Sequence, residues 1–111
     1  KSSFEKQRAK LILQDTKNKI STEISNSWSN YQSSKSVLEA TKAQLKAAEI
    51  ANEGITLEYD SGNTRTTLDV IQSRSLLFNA RIDHAKAERD FMISQFKLAQ
   101  QIGTLSFKLL K

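Results

Sequence analysis

Apolar and small residues recur along the first half of the chain at alternating steps of three and four. This 3.5-residue repeat is typical of a left-handed coiled coil, and it predicts a helix over about residues 3–58. One side of this helix, the leucine seam, consists of Ile24, Tyr31, Leu38, Leu45, Asn52 and Tyr59, interleaved with Ile20, Ser27, Ser34, Thr41, Ala48 and Ile55. The opposite side, the small-residue stripe, consists of Ser29, Ser33, Ser36, Ala40, Ala43, Ala47, Ile50, Gly54 and Leu57. Small side chains let another helix approach closely, whereas a solvated face would carry more charge.

The second half of the chain repeats this arrangement and predicts a helix over about residues 66–102, which Gly103 ends as a C′ residue. Its bulky stripe consists of Leu68, Ile71, Ser75, Phe78, Ile82, Ala85, Arg89, Met92, Phe96 and Ala99. Its histidine seam consists of Val70, Leu77, His84, Phe91 and Leu98, with Ser73, Ala80, Ala87 and Ser94 alongside. At about 100° per residue, the bulky stripe and the histidine seam lie on roughly opposite sides of the helix.

Two helices joined by a short turn predict an all-α fold, a long antiparallel coiled-coil hairpin. A simple hairpin needs one apolar stripe on each helix, whereas each of these helices has two. A helix with neighbours on both sides belongs to a wall of helices, and the hairpin would then be a fragment of an α-helical barrel. Self-association of hairpins into a three- or four-helix bundle would bury both stripes as well, and periodicity alone does not separate the two arrangements.

A turn over residues 59–65 interrupts the helical pattern. Gly62 accepts a positive φ, and the short polar residues on either side of it hydrogen-bond readily to nearby backbone. The turn and the start of the second helix also carry Arg65 and Asp69, the two charges that we single out for function.

The composition excludes several classes of protein. The chain has no proline, no cysteine and three glycines, so helix dominates and a disulfide framework or a thiolate metal site is excluded. The single histidine, His84, cannot build a zinc site by itself, and we predict that it packs between the helices. We find no nucleophile–base set and no phosphate loop, and we predict neither catalysis nor a cofactor. The sequence shows no signal peptide and no apolar run of the roughly 20 residues that a membrane helix needs. Because it starts abruptly at Lys1 in helix-like sequence and ends on Lys111, we interpret the chain as a piece excised from a longer protein, so the missing signal does not locate the parent.

The net charge of +5 does not indicate nucleic-acid binding, because basic and acidic residues are interspersed along the chain. Charge instead distinguishes the two remaining faces of the second helix. One face, the aspartate face, has Asp69, Leu76, Asp83, Asp90 and Lys97, and the opposite face has Arg74, Arg81, Glu88 and Gln95. In a wall of helices these faces would look to opposite sides of the wall, whereas in a bundle both would be solvated.

Several short motifs follow one another in a fixed order. They are Tyr59-x-x-Gly62, Thr64-Arg65-Thr66-x-Leu68-Asp69-Val70-Ile71, Leu77-x-Asn79-Ala80-Arg81 and Ile102-Gly103-Thr104-Leu105, with Trp28 and Ala47-Ala48-Glu49-Ile50-Ala51 upstream. This set resembles the second periplasmic hairpin of TolC-like outer-membrane channel proteins, above all those that serve type I secretion. The resemblance covers nearly the whole chain.

The resemblance implies a full-length protein in the outer membrane of a Gram-negative bacterium. Such a protein is a homotrimer whose outer-membrane strands and periplasmic helices form one continuous channel for type I secretion or efflux. This segment would lie in the periplasm, in the α-helical barrel. Its implied partners are a periplasmic adaptor protein and an inner-membrane ABC or other pump.

The resemblance also assigns roles to the residues of the tip. Asp69 takes the position of an aspartate that lines the closed entrance, Arg65 that of an arginine that ties neighbouring tip turns together, and Tyr59 that of a tyrosine in the same network. Three carboxylates near one axis concentrate negative potential, and a few charged links give an entrance that a partner can open. The implied adaptor-docking tip consists of Gly62, Asn63, Thr64 and Thr66.

The chain departs from the family pattern at two positions. Gln72 stands where efflux members often carry a second acid, which predicts a single acidic ring. Compared with the usual family spacing, one extra residue lies between Gly62 and Arg65. This shift affects the contact between neighbouring tip turns that the resemblance implies for Arg65 more than it affects the role of Asp69. Outside a channel, Arg65 and Asp69 would form a surface i,i+4 ion pair. The alternative function is the coiled-coil hairpin of a periplasmic adaptor or another structural coiled coil, whose helices would need only one continuous seam each.

Overall fold

The fold is all-α. A computed structural model describes residues 2–62 and 64–110, and these form two helices, α1 over Ser2–Asp60 and α2 over Thr67–Leu110. No strand occurs within these ranges, and the predicted helical hairpin is confirmed. Neither helix, over its described residues, has the apolar length that a membrane span requires. The chain divides into a hairpin unit, Ser33–Met92, and a terminal unit made of residues 2–32 and 93–110.

In the hairpin unit, the leucine seam of α1 packs against the histidine seam of α2. Leu38, Leu45 and Ile55 are half-buried on α1, and Val70 and Leu77 are buried on α2. These positions are the ones that the 3.5-residue repeat predicts, because a period of 3.5 keeps the same side of each helix towards its partner. The interface is thin: within the described residues, no large side chain is fully buried.

Polar contacts cross the middle of the interface of the hairpin unit at two levels. The Ser73 hydroxyl donates to Oδ1 of Asn52 over 3.1 Å, and Oγ1 of Thr41 lies 3.4 Å from Nδ1 of His84. On its other side, Nε2 of His84 lies 2.8 Å from a carboxylate oxygen of Glu88, and the histidine side chain is 18% exposed. His84 therefore packs between the helices as predicted. Polar pairs at seam positions favour one register, because any shift of the helices would leave their atoms unpaired.

The small-residue stripe and the bulky stripe are both exposed in the hairpin unit. Ile50 and Leu57 are exposed on α1, and Leu68, Ile71 and Phe78 are exposed on α2. An exposed apolar side chain is common on its own, but these residues repeat along one side of each helix. Each helix of this unit thus uses one of its two apolar sides inside the hairpin and leaves the other open.

The terminal unit contains the beginning of α1 and the end of α2. Ile20 is buried, and Leu13, Ile24 and Leu105 line a groove of about 560 Å³. Trp28 stacks on Tyr31 with ring centroids 5.6 Å apart and an angle of 25° between the ring planes. Aromatic rings at this separation form a favourable pair beyond the apolar area that they bury.

The end of α2 differs from the prediction. The helix continues through Gly103 to Leu110, so the prediction that Gly103 is a C′ residue is wrong. A C′ glycine takes a positive φ, and within the described residues only Gly62 does. A glycine inside a helix costs about 1 kcal/mol relative to alanine, a small penalty when a later residue such as Leu105 still packs against α1.

Candidate functional site

The tip of the hairpin begins where α1 ends. Gly62 has a φ of 79°, and its N–H donates to the carbonyl of Tyr59 over 3.2 Å. The N–H of Ser61 donates to the carbonyl of Leu57 over 3.0 Å, and its hydroxyl donates to the carbonyl of Glu58 over 3.1 Å. These bonds satisfy the last carbonyls of α1, which have no partner further along the helix. Gly62 is therefore the left-handed C′ residue of α1, as the turn signal predicted.

Thr66 and Asp69 begin α2 by capping each other. The backbone N–H of Thr66 donates to Oδ2 of Asp69 over 3.0 Å, and the N–H of Asp69 donates to Oγ1 of Thr66 over 3.2 Å. The carbonyl of Thr66 accepts the first helical bond, from Val70. This is a capping box, with aspartate in the place that glutamate usually takes.

The capping box also determines the charge state of Asp69. The hydrogen bond from the Thr66 backbone holds the pKa of Asp69 below its ordinary value of 3.8, and the Thr66 side chain and Arg65 add smaller effects in the same direction. Because the pKa is lower in the folded state, this carboxylate stabilises the fold fully above its ordinary pKa. That contribution is lost as the pH falls through the lower folded value. Asp69 is thus fully ionised at neutral pH.

Arg65 is bound by Glu58 across the turn. Its Nε–H donates to Oε2 of Glu58 over 2.6 Å, and this ion pair raises the pKa of Arg65. The i,i+4 ion pair with Asp69 that the sequence allowed is not the contact formed: Arg65 pairs with Glu58, and Oδ2 of Asp69 accepts the backbone N–H of Thr66. Arg65 and Asp69 lie close in the chain but hold opposite ends of the turn.

Tyr59 lies beside the start of α2. Its hydroxyl lies 3.2 Å from Oγ1 of Thr67, and the residue is 41% exposed. The prediction that Tyr59 is part of the leucine seam is therefore wrong. Tyr59 is the second-last residue of α1 and meets α2 only at its first residue, where the seam ends.

The structure brings Tyr59, Arg65 and Asp69 to one tip but gives each a different partner. Gly62, Thr64 and Thr66 of the predicted docking tip are exposed. Asn63, the fourth of these, lies outside the described residues. The described part of the chain has no group of three or more His, Cys, Asp or Glu side chains that could hold a metal ion.

A shallow groove of about 480 Å³ runs along the hairpin unit next to the tip. Arg65, Asp69 and Gln72 line it from the turn and α2, and Ala47 and Ala51 line it from α1. Asp69 and Gln72 lie on α2 and Arg65 lies in the turn, so the groove combines alanines of α1 with polar and charged residues close to the tip.

Two tip residues were missed by sequence reasoning. These are Glu58 and Thr67, to which the sequence assigned no role. The spacing Thr66-x-x-Asp69 before an apolar run is a capping signal, and it would have identified the start of α2. No comparable signal identifies the Glu58–Arg65 pair, because the chain reverses between the two residues.

Two curated proteins are similar to this chain. The outer membrane efflux protein BepC of Brucella suis biovar 1 is 26% identical over 99 residues, which cover 89% of this chain and 22% of that protein. The outer membrane protein TolC of Escherichia coli K12 is 29% identical over 83 residues, which cover 75% of this chain and 17% of that protein. The chain spans about a fifth of the length of these relatives. No family model and no solved structure matches it. The chain is thus similar to a segment of TolC-type outer-membrane proteins.

Proposed function

We propose that this chain is the periplasmic helical hairpin of a trimeric TolC-like outer-membrane channel for type I secretion or efflux. The observation that carries the proposal is the similarity to an outer membrane efflux protein over 99 residues, 89% of the chain. The segment would lie in the periplasm, in the wall of the α-helical barrel, and would have no catalytic role. A periplasmic adaptor and an inner-membrane ABC or other pump would be its partners.

The exposed stripes support a place in a wall of helices. Both helices of the hairpin unit present a second apolar side, through Ile50 and Leu57 on α1 and through Leu68, Ile71 and Phe78 on α2. A hairpin that worked alone, as an adaptor coiled coil would, needs only the side that it already buries. In a barrel, neighbouring helices would cover the second side, which removes the apolar surface from water.

The charges of the tip support a role at the entrance. Asp69 is half-buried and ionised, and it lines the groove beside Gln72. In a trimer three copies of this carboxylate would surround one axis and attract cations. Because Gln72 is neutral, the ring would be formed by Asp69 alone.

The variant Asp69→Asn in the full-length channel tests the entrance role. We expect single-channel recordings in planar bilayers to show increased anion passage and weaker block by cations, because the ring loses its negative charge. Asparagine keeps an oxygen at the capping position, so the start of α2 is retained. The control is Asp60→Asn, which removes an exposed tip carboxylate outside the groove and should leave selectivity unchanged. Selectivity and block that stay at the wild-type level in Asp69→Asn would rule out the ring.

The exposed turn is the proposed docking site for the adaptor. With a cysteine at Thr64, we expect crosslinks to a co-expressed periplasmic adaptor, because this residue lies at the exposed end of the hairpin. A cysteine at Glu39, exposed on α1 away from the tip, should give far less product. Equal yields from the two positions, or no product from Thr64, would contradict docking at the tip.

A further inference from the structure

Glu58 and Arg65 form an ion pair that closes the turn of the hairpin. Glu58 lies in the last turn of α1, and Arg65 lies two residues before α2 begins. The Nε–H of Arg65 donates to Oε2 of Glu58 over 2.6 Å, the short distance of a charge-assisted hydrogen bond. The bond therefore joins the end of one helix to the segment that leads into the other.

The geometry of the guanidinium group determines which N–H donors of Arg65 remain after the bond to Glu58. The group has five N–H donors in a rigid plane, and Nε shares one edge with an Nη while the two Nη atoms form the end of the fork. Glu58 takes the donor at Nε. Among the described residues, this is the one hydrogen bond and the one ion pair that Arg65 makes, and neither uses the Nη end of the fork.

Among the described tip residues, Asp69 and Tyr59 form their hydrogen bonds with partners other than Arg65. Oδ2 of Asp69 accepts the backbone N–H of Thr66, and the hydroxyl of Tyr59 pairs with that of Thr67. Arg65 also lines the groove beside the tip, and its side chain is 42% exposed. A partner from outside the hairpin can therefore reach the Nη end.

We propose that Glu58 is a positioning residue, which holds Arg65 by Nε so that the Nη end of the fork meets an oxygen acceptor on a neighbouring tip. The inference rests on the proposed channel function and adds the residue that sets the arginine contact. An exposed arginine samples many rotamers, and binding to a neighbour would have to order it. The bond to Glu58 orders the side chain beforehand, which favours the closed entrance.

The test uses closed-state conductance of the full-length channel in planar bilayers. We expect Glu58→Ala to raise this conductance about two- to fivefold. Loss of one exposed ion pair shifts the equilibrium between the closed and the open entrance by about this factor. Arg65→Ala should raise it at least as much, and the double variant should equal Arg65→Ala because both act through one contact. Glu58→Gln keeps an acceptor oxygen and should have a smaller effect. The control is Glu53→Ala, an exposed glutamate on α1 that should leave conductance unchanged.

The exchanged pair, Glu58→Arg with Arg65→Glu, separates positioning from simple stabilisation of the turn. It restores opposite charges across the turn but removes the arginine from its position, so the entrance should remain leaky. Wild-type closure in the exchanged pair would overturn the positioning role. Wild-type conductance in Glu58→Ala, with Arg65→Ala leaky, would overturn the role of Glu58 and leave the gate intact. Wild-type conductance in both single variants would instead contradict the arginine gate of the proposed function.

Discussion

Replacing Leu77 with alanine is expected to lower the free energy of unfolding of the hairpin by about 2–3 kcal/mol, the low end for a buried leucine. Leu77 is 8% exposed and lies in the histidine seam, where α1 covers it. The interface is one seam thick, so the truncated side chain leaves a cavity that only two helices can close. Small shifts of those helices can recover part of the lost packing. The decrease in the free energy of unfolding should therefore stay below the largest values measured for buried leucine-to-alanine substitutions.

The neighbouring residue provides the matched control. Leu76 is 68% exposed, and Leu76→Ala should change the free energy of unfolding by less than about 0.5 kcal/mol. Both variants should be unfolded with urea at the same protein concentration and followed by circular dichroism, because association would otherwise change the apparent stability. Equal losses for the two variants would mean that the histidine seam is not the face that α1 covers.

Replacing Phe78 with lysine is expected to weaken self-association of the isolated hairpin by at least about tenfold. Phe78 is 63% exposed in the middle of the bulky stripe, beside Ile71 and Ile82. Association would bury this side chain, whereas a lysine there would bring a charge into an apolar contact. The seam that holds the hairpin together lies on the other side of α2, so the helical content of the chain should not change.

Sedimentation velocity over a range of concentrations measures this effect. Asn79→Lys adds the same charge at the next residue, which is exposed and outside the bulky stripe, and it should associate like the wild type. A wild-type hairpin that stays a well-folded monomer at high concentration would contradict the prediction. So would a Phe78→Lys variant that associates as strongly as Asn79→Lys.

The repeat of apolar residues was enough to predict both helices and, apart from Tyr59, the residues on each seam. It could not decide which side of α2 packs against α1, because both sides are apolar. The structure buries the side with Ser73, Ala80 and Ala87 and leaves the side with Phe78 and Met92 open. Periodicity defines the faces of a helix, whereas the choice of partner depends on how the side chains of two helices fit.

The part of the turn that could be predicted is the one where a single residue determines the backbone conformation. Gly62 takes the positive φ that its position requires. Gly103 carries the same local signal but lies inside α2, because the helix continues beyond it to Leu110. The bond from Arg65 to Glu58 depends on the path of the chain through the turn and on two long side chains, and neither follows from spacing.

The central claim is that this hairpin is part of a wall of helices, in which neighbours cover the second apolar side of α1 and α2. Thiol labelling of single cysteines in the full-length protein tests it most directly. Ser75→Cys places a thiol of similar size in the bulky stripe, and Arg74→Cys places one on the adjacent charged face; both positions are exposed in the hairpin alone.

In the assembled protein, we predict that a membrane-impermeant maleimide added to the periplasmic space labels the cysteine at Arg74 rapidly and the cysteine at Ser75 slowly. After unfolding in urea, both should react at the same rate. Equally rapid labelling of the two cysteines in the assembled protein would show that the bulky stripe faces water, and it would contradict the wall.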